Sequence, residues 1–175
     1  MYSLIKKTFY LLSTLFFAHS VYAADFAMTT TGFLDGSAIP TLYTCDGKDI
    51  SPQFAWTNPP ANTQSFTMIM SNPDAPGGTW YHWVVFNIPS KTAEIAEAAD
   101  KIPGAVMGRN SWNKLVYNGP CPPKGTSHRY IFTLYALNTK LKTPVGADAL
   151  MVMDAMQKHI LKQVTQTAVY SRWLK

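Results

Sequence analysis

The sequence predicts a mainly β fold: a β-sandwich with one amphipathic helix towards the C-terminus and short helical turns. Three observations predict it. Twelve prolines and ten glycines are spread through the chain beyond residue 23 and cut it into short apolar pieces, the punctuation of strands joined by turns. Several of those pieces alternate in polarity or are rich in aromatic and β-branched residues. Only one segment carries a clear helical period.

The elements follow in chain order. Residues 1–23 read as a secretory signal peptide: Lys6 and Lys7 form a positive head, Thr8 to Val21 is nearly all apolar, and Val21-Tyr22-Ala23 offers a cleavage site. The apolar run falls short of the roughly 20 residues of a membrane-spanning helix, so an uncleaved anchor is the weaker reading. Residues 24–175 then form one domain. Gln53 to Trp56 is a weak strand candidate, stopped by Asn58-Pro59-Pro60. Ser65 to Ser71 alternates, with Phe66, Met68 and Met70 on one face. Tyr81 to Ile88 is a longer strand. Arg129 to Leu137 is apolar on both faces and should be a central strand covered on both sides. From Asp148 to about Val164, Ala149, Val152, Met153, Met156, Ile160 and Val164 recur at three- and four-residue steps, which predicts the helix. Asp148 is placed to cap it, and its methionines read as core packing. Ala168 to Trp173 is a candidate last strand.

Charge narrows the function classes. Loss of the leader would leave thirteen basic residues against ten acidic ones, a net charge of +3. The basic residues are dispersed, without a run of three, which argues against a nucleic-acid partner. A mildly positive field favours an anionic ligand. Both cysteines, Cys45 and Cys121, lie beyond the leader. An even count in an oxidising compartment predicts one disulfide, with two separate buried thiols as the alternative. No C-x-x-C pair supports a zinc or redox site. The expected location is the periplasm or the exterior.

Two loops stand out. Asn72-Pro-Asp-Ala-Pro-Gly-Gly78 leads into Thr79-Trp-Tyr-His-Trp83, and Gly119-Pro-Cys-Pro-Pro-Lys-Gly125 leads into Thr126-Ser-His-Arg-Tyr130. Prolines stiffen each backbone and glycines let it pass close to a neighbour. Each loop delivers a histidine to the start of an apolar strand. Simple alternation puts His82 on one side with Val84 and Phe86. Rigid loops with imidazoles suit a preorganised anion site. Asp74 would repel an anion, so its expected part is to orient an imidazole or to hold the ammonium of a zwitterion. Taken singly, either histidine reads equally well as a satisfied core residue, Asp74 as a turn residue, and Tyr130 as a core aromatic.

These two motifs resemble the phosphatidylethanolamine-binding protein family, also called Raf kinase inhibitor-like proteins. Tyr43-Thr-Cys-Asp-Gly47, Ser51-Pro52 and Tyr170-Ser-Arg172 are similar to its bacterial branch. The resemblance covers nearly the whole chain beyond the leader. It implies a Greek-key core, no cofactor, and a small surface pocket for phosphate-like groups, phospholipid head groups among them. By position the pocket would be walled by Asn72, Asp74, Ala75, Pro76 and His82, and by Gly119, Cys121, Pro122, His128 and Tyr130. One departure stands out: the family motif commonly begins Asp-Pro-Asp, and Asn72 replaces the first acid. An amide can donate to an anion where a carboxylate cannot. A Cys45–Cys121 bond would tie the pocket wall to the Cys45-Asp46-Gly47 turn. A homodimer is compatible with the bacterial relatives.

The resulting expectation is a non-enzymatic binder of a small anionic or zwitterionic group. Inhibition of a protease or kinase through the same loops is the alternative that the resemblance implies for some relatives. A thiol enzyme with Cys121 as nucleophile and His128 as base is a weaker reading, because a disulfide would abolish it. A metal held by His82, His128 and Asp74 is weak too, for lack of ligand spacing on one element.

Overall fold

The computed structural model describes residues 24–173, and the expected signal peptide lies outside the described residues. The fold is mainly β, with two sheets and one short helix. A three-stranded sheet contains β1 (Ala27–Thr29), β2 (Phe54–Thr57) and β5 (Glu94–Ile95), in the order β1-β2-β5. A five-stranded sheet holds β3 (Ser65–Asn72), β4 (Trp80–Pro89), β6 (Val106–Met107), β7 (Thr126–Leu137) and β8 (Ile160–Arg172), in the order β6-β4-β3-β7-β8. All the named strand pairs are antiparallel.

The five-stranded sheet is covered on both faces. One face meets the small sheet: Phe66, Met68, Met70, Trp83, Tyr130 and Phe132 join Met28, Phe54 and Trp56 in one buried cluster. The Phe54 and Phe132 rings lie 4.8 Å apart and tilted, a favourable aromatic contact. The other face packs on the helix α1 (Ala149–Met156): Ile69, Val84, Phe86 and Leu137 meet Ala149, Val152 and Met156. β7 is an inner strand, as expected, but only one of its faces is fully buried; Arg129 is exposed and Ile131 and Tyr135 are half-buried.

The helix is shorter than its periodicity predicts. It is capped by Asp148, whose Oδ1 accepts the Met151 N–H at 2.9 Å, and it ends at Met156, followed by a 3-10 turn over Gln157–His159. Ile160 and Val164, expected on the helix, open a thirteen-residue strand instead. The reason is arithmetic. A four-residue step fits a strand face as well as a helix face, since four is a multiple of two. Residues 160–169 are also rich in β-branched side chains, and pairing along the whole of β7 decides the matter. The last strand therefore begins eight residues before the expected Ala168.

β4 departs from simple alternation twice. Met70 pairs with Trp83 and Ser71 with Tyr81, so His82 has no partner on β3 and is a bulge residue. A second shift puts two residues of β4, including Asn87 at φ 55°, opposite Thr67.

Candidate functional site

The end of β3 and the starts of β4 and β7 lie side by side: Asn72 pairs with Trp80, and Ser71 with Ile131. The two proline-stiffened loops leave from these points and enclose a hollow of about 220 Å3. Asn72, Ala75, Pro76 and Gly77 line one side; Cys121, Pro122, Pro123 and His128 line the other; Trp80, His82 and Trp112 complete it. Seven of the ten expected residues therefore border one space. Both imidazoles are among them.

The bulge sets His82. Alternation would place it with Val84 and Phe86, which pack on the helix side. The extra residue turns it to the opposite face, where its ring meets Tyr130 at 5.1 Å and Trp112 at 4.9 Å, both edge-on. His82 is buried at 2% exposure. Its Nδ1 lies 2.8 Å from the Asn118 carbonyl; a carbonyl only accepts, so Nδ1 carries the hydrogen. Nε2 is left as a buried lone pair with no partner among the described residues. Burial holds the imidazole down to about 4, against smaller opposing effects of the Asn118 and Gly119 backbone and the Asp49 carboxylate.

Asn72 sets His128. Its Oδ1 accepts the Asp74 N–H at 3.0 Å, which turns Nδ2 towards His128 Nδ1, 3.1 Å away. An amide nitrogen only donates, so His128 Nδ1 accepts and the ring's hydrogen sits on Nε2. Thr126 agrees. Its hydroxyl donates to Pro123 O at 2.7 Å and lies 3.4 Å from His128 Nε2, where it can only accept.

Three expected residues do other work. Asp74 orients no imidazole: its carboxylate faces Arg129, accepting from Nη2 at 2.6 Å, from Nε at 2.9 Å and from the Arg129 N–H at 2.9 Å. The metal reading loses its carboxylate by the same turn. Gly119 packs where backbone passes backbone, its N–H donating to Asp49 Oδ1 at 2.6 Å. Tyr130 lies buried beneath His82 rather than on the wall.

The Arg129 contacts hold Asp74 at about 2, below the ordinary 3.8. The ionised carboxylate is thus favoured by folding, and its contribution is present above about 3.8 and lost as pH falls towards 2. Asp74→Asn should flatten the melting temperature's dependence on pH in that window. The effect should be small, because Arg129 is well exposed and the pair is screened. Anion affinity should change less than about twofold. A steep loss of affinity would return Asp74 to the ligand.

Trp80, Trp112, Gly77 and Pro123 line the hollow without having been singled out. Trp80 stands one residue before Tyr81-His-Trp83, inside a segment already notable in the sequence. Trp112 comes from a third loop that carries no proline signal. That loop wraps the His82 backbone: Asn118 N–H and Asn110 Nδ2 both donate to His82 O, at 3.2 and 3.4 Å.

The wall is fastened from outside. Cys45 and Cys121 form a disulfide, as expected. Arg172, at the end of β8, bonds Asp46 through Nη2 at 2.9 Å and the Pro122 carbonyl through Nη1 at 3.3 Å. The Cys45 N–H reaches Pro120 O at 3.2 Å.

Known proteins agree with this architecture. A family profile described as phosphatidylethanolamine-binding protein matches residues 29–171. A UPF0098 protein of Aquifex aeolicus is 46% identical over 145 residues, covering 80% of this chain and 85% of that one. The Escherichia coli UPF0098 protein YbhB is 39% identical over 133 residues, covering 72% and 84%. Among solved structures, the phosphatidylethanolamine-binding protein homologue CT736 of Chlamydia trachomatis superposes with a TM-score of 0.79 at 33% identity, over 84% of this chain and 97% of that one. E. coli YbcL, described as a member of the mammalian phosphatidylethanolamine-binding family, gives 0.79 at 32% identity over 87% and 100%. On profile, sequence and shape together, this chain belongs to the phosphatidylethanolamine-binding protein family.

Proposed function

We propose that this protein is an exported, non-enzymatic binder of a small anionic group of the phosphate or phospholipid head-group class, held in the hollow between the two loops. The observation that carries the reading is that His82, His128 and Asn72 border one space, with His82 Nε2 buried there without a partner. Among the described residues no acidic side chain lines that space, so an anion meets no like charge from them. The Cys45–Cys121 bond supports an oxidising location, periplasmic or extracellular. The same bond removes Cys121 as a nucleophile, which favours binding over thiol catalysis.

Binding should be linked to a proton. Unliganded His82 holds none on Nε2 above pH about 4, and an anion against Nε2 needs one there. The neighbouring charges are Asp49, which favours the imidazolium, and His128, which opposes it. A phosphomonoester loses its last proton near pH 6. Affinity for phosphoethanolamine should therefore fall by up to about tenfold per pH unit above that value. Isothermal titration at pH 5.5 and 7.5 checks this, with His82→Ala and His128→Ala as controls. Silence towards phosphate, phosphoethanolamine and phosphopeptides, with both variants matching wild type, would overturn the reading.

A further inference from the structure

We infer that Asp49 is a positioning residue for the anion site: acting through one peptide unit, it aims His82 and steadies the positive charge that the ring takes on when an anion lies against Nε2. The inference rests on the anion-binding reading and adds to it a residue that stands outside the hollow.

The peptide between Asn118 and Gly119 carries the argument. Its carbonyl faces His82 Nδ1 at 2.8 Å. Its N–H, on the far side of the same trans unit, donates to Asp49 Oδ1 at 2.6 Å. Carboxylate, peptide and imidazole therefore form one row of hydrogen bonds, with a negative charge at one end and the ligand-facing nitrogen at the other. Bonds in such a row polarise one another. A carboxylate drawing on the N–H makes the carbonyl a stronger acceptor, and a stronger acceptor at Nδ1 favours a hydrogen on Nε2 as well. On binding, that hydrogen comes from solvent. It turns Nε2, which is buried and has no partner among the described residues, into a donor to the anion.

The surroundings of Asp49 fit this part. It is half-buried. Its other oxygen faces Asn118 Nδ2 at 3.4 Å, and the Asn118 Oδ1 is held in turn by Asn110 Nδ2 at 2.8 Å. Among the described residues no lysine or arginine pairs with Asp49, whereas Asp25, Asp46 and Asp74 are paired with Lys162, Arg172 and Arg129. The His82 imidazolium is then the cation that Asp49 complements. The Asp49 backbone sits at φ 57°, a left-handed conformation that aspartate and asparagine tolerate. Besides Asp49, the His82 ring faces His128 and Tyr130 from β7; Asp49 favours the charged ring and His128 opposes it.

Asp49→Asn separates charge from geometry, since an amide oxygen still accepts the Gly119 N–H and asparagine keeps the left-handed backbone. Isothermal titration of the mature chain with phosphoethanolamine and with inorganic phosphate, at pH 5.5 and 8.5, compares the variant with wild type. Titration of the ligand itself is common to both proteins and cancels in their ratio. At pH 5.5, where the bound ring is charged, the variant should bind about fivefold weaker. At pH 8.5, where the ring is neutral, the two should agree within about twofold. In a His82→Ala background the same change should have no effect at either pH. Nitrogen NMR of the wild type at pH 5.5 should show hydrogen on both nitrogens of His82 with ligand and on Nδ1 alone without it. A ratio that fails to fall between the two pH values means that Asp49 only holds the loop, and it overturns the inference. A neutral His82 in the wild-type complex at pH 5.5 does the same without any variant having to fold. Either result leaves anion binding standing; silence of both ligands towards the wild type removes the binding reading and this inference together.

Discussion

Replacing Gly119 with alanine should destabilise the protein by about 3 kcal/mol or more, the range of forced overpacking at a site that cannot relax. A Cβ at this position would overlap the Tyr43 carbonyl oxygen and come within 2.9 Å of both Thr44 Cα and the Asp49 carboxylate. The nearest atom, the Tyr43 carbonyl oxygen, and Thr44 Cα are backbone, so no rotamer change relieves them. The Tyr43 carbonyl also accepts the buried Tyr117 hydroxyl at 2.8 Å, and the Gly119 N–H is spent on Asp49. Pushing residue 119 outward would drag Asn118, whose carbonyl fixes the His82 ring. Denaturant unfolding should show a lower midpoint, and phosphate binding should fall with it at temperatures where the variant is folded. A midpoint equal to wild type would mean that the chain crossing at Tyr43 and Thr44 is not tightly packed.

The second large effect is expected from breaking the Cys45–Cys121 bond. It closes a loop with a sequence separation of 76 residues, and the chain-entropy model assigns such a loop about 4 kcal/mol. A Cys45→Ala/Cys121→Ala double variant should lose most of that in equilibrium unfolding, without leaving a thiol to react. Affinity for phosphate should weaken as well, because Cys121 and Pro122 line the hollow. The loss of affinity should be partial: Arg172 still bridges Asp46 and the Pro122 carbonyl. Adding Arg172→Ala to the double variant should remove that second tie and deepen the loss. Unchanged stability in the double variant would place the tethering elsewhere, with the Cys45–Pro120 backbone contact as the next candidate.

How far the sequence reaches can be judged from particular residues. Strands at Ser65–Asn72 and Trp80–Pro89 were legible because apolar pattern and turn residues agreed locally. So was the convergence of the two loops, which repeated proline, glycine and histidine in the same order. His82 was misplaced by one face, since a bulge is decided by how β4 pairs with β3 and leaves no mark on β4 alone. The Asp74–Arg129 pair was not legible, because the partners lie 55 residues apart and exposed residues carry no period. The helix was drawn too long where a four-residue spacing served both structures. Trp112 was missed because its loop is held by side-chain amides, Asn110 and Asn118, rather than by prolines.

β8 ends its sheet, and a thirteen-residue rim of open peptide groups would invite another chain to add on. Part of that rim is already occupied. Gly36 N–H donates to Thr167 O, Ser37 O accepts from Val169 N–H, and Ile39 N–H donates to Val169 O, while Asp35 takes the Thr167 N–H. The N-terminal stretch of the described chain thus works as a plug. A chain lacking residues 35–39 would leave the backbone groups of Thr167 and Val169 as open edge.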